Sequence, residues 1–197
     1  IGMTFMGSFF VSSHMGLMPV FATDVFGGEG STLGILFSVG GIGSLFGALL
    51  AASMASFRTR SLLIVGGAVS QAIFVMFFAL SHSYGLSLAL VLLAGVGFSL
   101  FSVSTQSTLQ LLVQNEFRGR VMSIWGMTYS VVMPLGRAHM GVSAGFFRAH
   151  TSGSLGRYAG APAAVILGDL VMLLFLFLSV GSRRRIQSLD PRAHGGQ

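Results

Sequence analysis

Four polar residues share one face of an otherwise apolar stretch. Ser99, Ser102, Gln106 and Gln110 are spaced three, four and four apart, which on a helix places them on one side. An amide in hydrocarbon is costly unless it meets protein or water. Two kinds of chemistry meet that need: hydrogen bonds to a substrate across a cavity wall, or hydrogen bonds between packed helices. Near the start of the chain, Met3, Gly7, His14, Met18 and Phe21 also recur at helical spacing. Methionine adapts to varied ligands, and it also fills cores. His14 is the titratable member of this set. It reads either as a substrate- or proton-binding group or as a buried neutral imidazole held by a neighbour.

Two charges interrupt the late apolar runs, Arg137 and Asp169. A lone charge deep in a bilayer costs several kcal/mol, so a partner is expected. Each stands eight residues from the predicted outer end of its span, about 12 Å deep. The two are therefore expected to pair, either as a structural ion pair or with Asp169 as a proton-coupling carboxylate. No HExxH, GxSxG, phosphate loop or dinucleotide fingerprint occurs. The five His and five acidic residues have no metal-ligand spacing. The chain reads as no enzyme and as needing no cofactor or metal.

The elements that position these groups follow from composition. Of 197 residues, 53% are hydrophobic and only 8% charged, against roughly 25% charged in soluble domains. Net charge is +6, carried by arginine alone. The basic residues sit in short clusters between long neutral runs, which is topogenic charge and not a nucleic-acid surface. Cysteine is absent, so disulfides and thiolate chemistry are excluded.

An apolar run long enough to span needs about 20 residues. Residues 61–115 hold fifty-five positions without Asp, Glu, Lys or Arg, enough for two spans around the turn Ser81-His82-Ser83-Tyr84-Gly85. The predicted spans are 1–21, 32–54, 61–80, 86–112, 121–145 (interrupted by Pro134 and Arg137) and 161–181. The fold class is an all-α integral membrane bundle of six transmembrane helices. Residues 182–197 read as a polar cytoplasmic tail without fixed structure. Gly43-x-x-x-Gly47 and Gly141-x-x-x-Gly145 would let helix backbones approach closely.

Arginine sets the orientation. Arg58, Arg60, Arg118, Arg120, Arg183, Arg184, Arg185 and Arg192 fall on one side, and only Arg148 and Arg157 on the other. The positive-inside rule then puts both ends in the cytoplasm. The chain opens on Ile1 inside an apolar run, without the basic region or cleavage site of a signal peptide. It reads as a piece of a longer chain.

Three stretches carry a resemblance. Leu17-Met18-Pro19-Val20-Phe21-Ala22-Thr23-Asp24 runs into Ser31-Thr32-Leu33-Gly34; then comes Gly47-Ala48-Leu49-Leu50-Ala51; then Glu116-Phe117-Arg118-Gly119-Arg120-Val121-Met122-Ser123. Together they resemble the C-terminal half, spans seven to twelve, of a major facilitator superfamily transporter. The branch resembled is the bacterial efflux group of enterobactin-exporter-like and macrolide-efflux-like proteins. The loop residues Arg58, Arg60, Glu116, Arg118, Gly119 and Arg120 belong to that pattern. The sequence departs from it at Gln114-Asn115, where the family often has Pro-Asp, in a thinner Arg cluster at 58–60, and at Arg137.

The resemblance implies half of a twelve-helix fold, with an N-terminal six-helix bundle as partner. It implies proton-coupled export of an amphiphilic small molecule by alternating access, in the inner (plasma) membrane. It places His14, Met18, Ser102, Gln106 and Gln110 on helices that line the central cavity. The partners expected are the substrate, protons and the lipid bilayer, with no nucleic acid. Two other readings stand beside it: a membrane-embedded interaction or sensor protein without transport, and a non-functional half-transporter.

Overall fold

The structure is a computed structural model that describes residues 13–54, 57–150 and 154–187. Among the described residues the chain is helical, with no strand. It opens on an irregular N-terminal segment: a 3-10 turn Ser13–Gly16, one α turn Met18–Val20 and a π turn Phe21–Val25. Six longer helices follow: α1 Gly30–Ser53, α2 Phe57–Leu80, α3 Tyr84–Leu112, α4 Arg118–Met127, α5 Met133–His150 and α6 Ser154–Gln187. Among the described residues, four stretches are long and apolar enough to cross a membrane: Gly30–Ser53, Thr59–Leu80, Tyr84–Leu112 and Gly160–Leu178.

One of the two widened turns has a local cause. A π turn Thr128–Val132 joins α4 to α5, just ahead of Pro134. A proline ring collides with the carbonyl four residues back, here that of Ser130. An extra residue in the turn relieves that collision. Pro19 precedes the π turn Phe21–Val25, and its ring meets the carbonyl of Met15 in the 3-10 turn, so the same cause does not account for that turn. Helix α6 runs to Gln187, so residues 182–187, expected in an unstructured tail, continue the helix. Residues 188–197 lie outside the described residues, as do 1–12, which include Met3 and Gly7.

Small residues set the packing. Gly43 and Gly47 of α1 lie against the backbone of Leu92 and Val96 of α3. The paired positions rise together, so these helices run parallel. Gly67 of α2 faces Gly97 and Phe101 of α3, and there the order reverses. A β-carbon on Gly97 would lie 2.7 Å from Ser70 Oγ and 2.8 Å from the Gln71 nitrogen. The seams are thus backbone against backbone, as expected where lipid supplies little drive for association. Gly141 and Gly145 of α5 have nothing within 4 Å. Their expected close approach is not made within the described residues.

Two apolar clusters fill the bundle. The larger holds Phe21, Phe78, Val91, Met140 and Val165 among others, with the Phe21 and Phe78 ring centroids 4.8 Å apart. The smaller joins Ala68 and Ala72 of α2 to Phe101 of α3 and to Met172 and Leu176 of α6. Exposed Leu45, Phe46, Leu49, Val142, Leu174 and Phe177 form an apolar outer surface suited to lipid. The end of α1, the start of α2, the connection 113–117 and the end of α6 share one end of the bundle. The turns 26–29 and 81–83, the end of α5 and the start of α6 share the other.

Candidate functional site

A cavity of about 170 Å³ opens between the N-terminal segment, α1, α2 and α3. His14, Met15 and Met18 line it from the N-terminal segment. Helix α1 supplies Phe37, Gly40, Gly41 and Ser44; α2 supplies Gln71, Val75 and Phe78; α3 supplies Val91, Gly95 and Phe98. Gly41 has open space where a side chain would stand, whereas Gly95 lies against the Gly40 carbonyl and Gly40 against Val91, which closes the α1–α3 seam beside the cavity. His14 is 6% exposed and Gln71 2%, so both polar groups sit behind the apolar rim. Ser44 Oγ donates to the Gly95 carbonyl at 3.4 Å, across the α1–α3 seam.

The size limits what enters. A cavity near 150 Å³ takes one aromatic ring, whereas sites that enclose whole drug-sized ligands are roughly 300–1,000 Å³. This space therefore holds a ring-sized apolar group with one or two hydrogen-bonding atoms. His14 and Gln71 offer both donors and acceptors to such a group.

The residues expected at the site divide. His14 and Met18 line the cavity. Ser102 and Gln106 are half-buried and Gln110 is exposed, and none of the three lines it. They do share a helix face with Val91 and Gly95. At 1.5 Å per residue, Gln106 lies about 12 Å beyond Phe98 along α3, towards the arginine-bearing end. Gln71 escaped the sequence reading. It had the same signal as Gln106, a lone amide in an uncharged run, without further polar residues at helical spacing to draw attention to it.

The expected pair between Arg137 and Asp169 is not formed. Arg137 is exposed, and its Nη2 donates to Met133 Sδ at 3.9 Å on its own helix. The stem of Arg137 packs on Gly16, where a β-carbon would lie 3.0 Å from Arg137 Cβ. Asp169 is buried on α6. Both helices extend past their predicted outer ends, which leaves the two residues at similar depth but on different seams. In the loop motif, Glu116, Arg118, Gly119 and Arg120 are exposed and Arg60 is half-buried. The side chain of Arg58 lies outside the described residues.

A family model of the Major Facilitator Superfamily matches residues 1–193. The chain belongs to the Major Facilitator Superfamily. Membership makes it a multi-pass membrane protein of a transporter family, in agreement with the apolar helices, and not a member of an enzyme family. No curated protein and no solved structure matches the chain. Among the described residues no group of three His, Cys, Asp or Glu side chains is placed to hold a metal ion.

Proposed function

We propose that this facilitator exports an amphiphilic small molecule, driven by the proton gradient, by alternating access. The bundle has six spans, with the N-terminal segment as the first and α4–α5 as the fifth. It acts as the C-terminal half of a twelve-span transporter and rocks against an N-terminal six-span bundle. Both ends lie in the cytoplasm and the membrane is the bacterial inner membrane. The observation that carries this reading is the cavity that buries His14 and Gln71 behind methionine and phenylalanine. Adaptable Met and Phe walls suit varied apolar rings, and the two polar groups fix one end of an amphiphile. Ser102, Gln106 and Gln110 extend a polar track from the cavity towards the cytoplasm. Export follows from the resemblance to the efflux branch.

The test uses the native protein in everted membrane vesicles, with ethidium as the probe. Energised vesicles should accumulate ethidium, and a protonophore should release it. Gln71→Leu should weaken accumulation while the protein remains in the membrane. Vesicles that accumulate no more ethidium than protein-free controls would overturn export of aromatic amphiphiles.

A further inference from the structure

The chain has five acidic residues. Asp24 and Glu29 flank one end of the bundle, Glu116 lies at the other, and Asp190 lies outside the described residues. Asp169 alone falls inside an apolar span, midway along Gly160–Leu178. It is 2% exposed, and its Oδ2 has no hydrogen-bond partner among the described residues.

Its neighbours locate it. Val165, one turn before, belongs to the cluster that contains Val75. Met172, one turn after, belongs to the cluster with Ala68 and Ala72. Register therefore sets Asp169 at the junction of the two clusters, on the seam between α6 and α2. Helix α2 has a second role at this level: Gln71, Val75 and Phe78 form one wall of the cavity. The same helix turn thus separates the buried carboxyl from the site by one helix diameter, about 10 Å.

The surrounding charges are few. On α2 the charged groups are Arg58 and Arg60 in its first turn, with Arg60 twelve residues before Ala72, about 18 Å along the helix. On α5, Arg137 and His139 are exposed, with the Arg137 stem against Gly16. From the N-terminal segment, His14 faces the cavity, and Asp24 accepts from Thr23 Oγ1 at 3.1 Å near the end of the bundle.

We infer that Asp169 is the carboxyl that takes up and releases the coupled proton, and that the α2–α6 seam is the element it controls. This rests on the proton-driven transport proposed above. A carboxylate in the closed seam is a buried charge without a counter-ion, which costs several kcal/mol. The closed seam and the ionised group therefore exclude one another. Ionisation, with the proton passed to water, drives the seam to open and hydrate; a proton taken from water lets it close. Movement of α2 carries Gln71 with it, so the state of Asp169 reaches the cavity wall.

Two measurements test this on the native full-length protein in membranes. Dicyclohexylcarbodiimide attacks protonated carboxyls in apolar surroundings, and mass spectrometry of the labelled protein locates the adduct. Asp169 should be labelled at low pH and labelling should fall as pH rises, with Glu116 unlabelled. In the ethidium assay, Asp169→Asn should lose proton-driven accumulation at least tenfold yet still equilibrate ethidium across the membrane, and Asp169→Glu should recover part of the loss. Absence of label at Asp169 between pH 5 and 9 would overturn the inference, as would an Asp169→Asn protein that accumulates ethidium like the wild type. If the wild type moves no ethidium, the transport reading fails and the labelling alone decides whether Asp169 exchanges a proton. If the Asn variant does not fold, labelling of the wild type decides the same point.

Discussion

Gly43 lies flat against the carbonyl of Leu92, and a methyl group at position 43 would occupy the place of that oxygen. The neighbour is backbone, which cannot rotate away as a side chain would. Gly43→Ala must therefore push α1 off α3. Overpacking of this kind costs about 1–3 kcal/mol. Gly141 is the contrast, with nothing within 4 Å. Gly141→Ala should leave stability unchanged or raise it by up to about 1 kcal/mol, because alanine is the better helix former. Thermal unfolding in detergent, followed by the fluorescence of Trp125, the only tryptophan, compares the two. Equal losses in both variants would mean that the Gly141 face is covered by another element.

The polar groups of the cavity make a separate prediction. If His14 and Gln71 hold one end of a substrate, removing either loses one hydrogen bond, about 0.5–1.5 kcal/mol. His14→Ala and Gln71→Leu should each raise the half-saturation concentration for a hydrogen-bonding aromatic substrate by about 2- to 10-fold. An apolar ring of the same size should lose nothing. Transport measured for the two ligands side by side separates these outcomes. Equal loss for both would point to damaged packing in place of a lost hydrogen bond.

How much of this was legible in the sequence depended on which property carried it. The limits of α1, α2 and α3 fall within about four residues of the spans read from uncharged runs, because desolvation of charge acts over every residue of a span. His14 and Met18 were legible as a face because they lie on one element. The cavity was not, since it is made where four elements meet and where Gly41 leaves open space. A glycine reads the same in sequence whether it makes a seam, as Gly43 does, or a void. The Arg137–Asp169 pair failed for a related reason. Equal depth can be counted along a chain, but the direction each side chain takes around its helix depends on neighbours that no local count supplies.

The Arg-rich end supplies a test of orientation. Topology places Gly119, exposed in the first turn of α4, at one end of the bundle and the exposed turn residue Ser83 at the other. The chain has no cysteine, so each engineered cysteine reports one position. In intact cells a membrane-impermeant maleimide should modify Ser83→Cys. Gly119→Cys should react only after the cells are opened. The reverse pattern would invert the bundle and place eight arginines outside, against the positive-inside rule.

The polar face of α3 yields the last prediction. Gln110 is exposed, Gln106 and Ser102 are half-buried, and Ser99 is buried. Read from the arginine-bearing end, accessibility therefore falls from 110, through 106 and 102, to 99. A water-filled path reaching in from the cytoplasm should give single cysteines at these positions thiol reactivity in that order. Leu93 is the control. It is 40% exposed, but it points away from Gly95 and Ser102 around the helix, where lipid would cover it. A cysteine there should resist a water-soluble reagent despite its exposure. Slow labelling at Gln106 alongside fast labelling at Gln110 would mean that the track is closed in the resting state, and addition of a transported aromatic amphiphile should then speed it. If all four positions stay unreactive with and without that ligand, the face is helix–helix packing, and the amides hold α3 to a neighbouring helix.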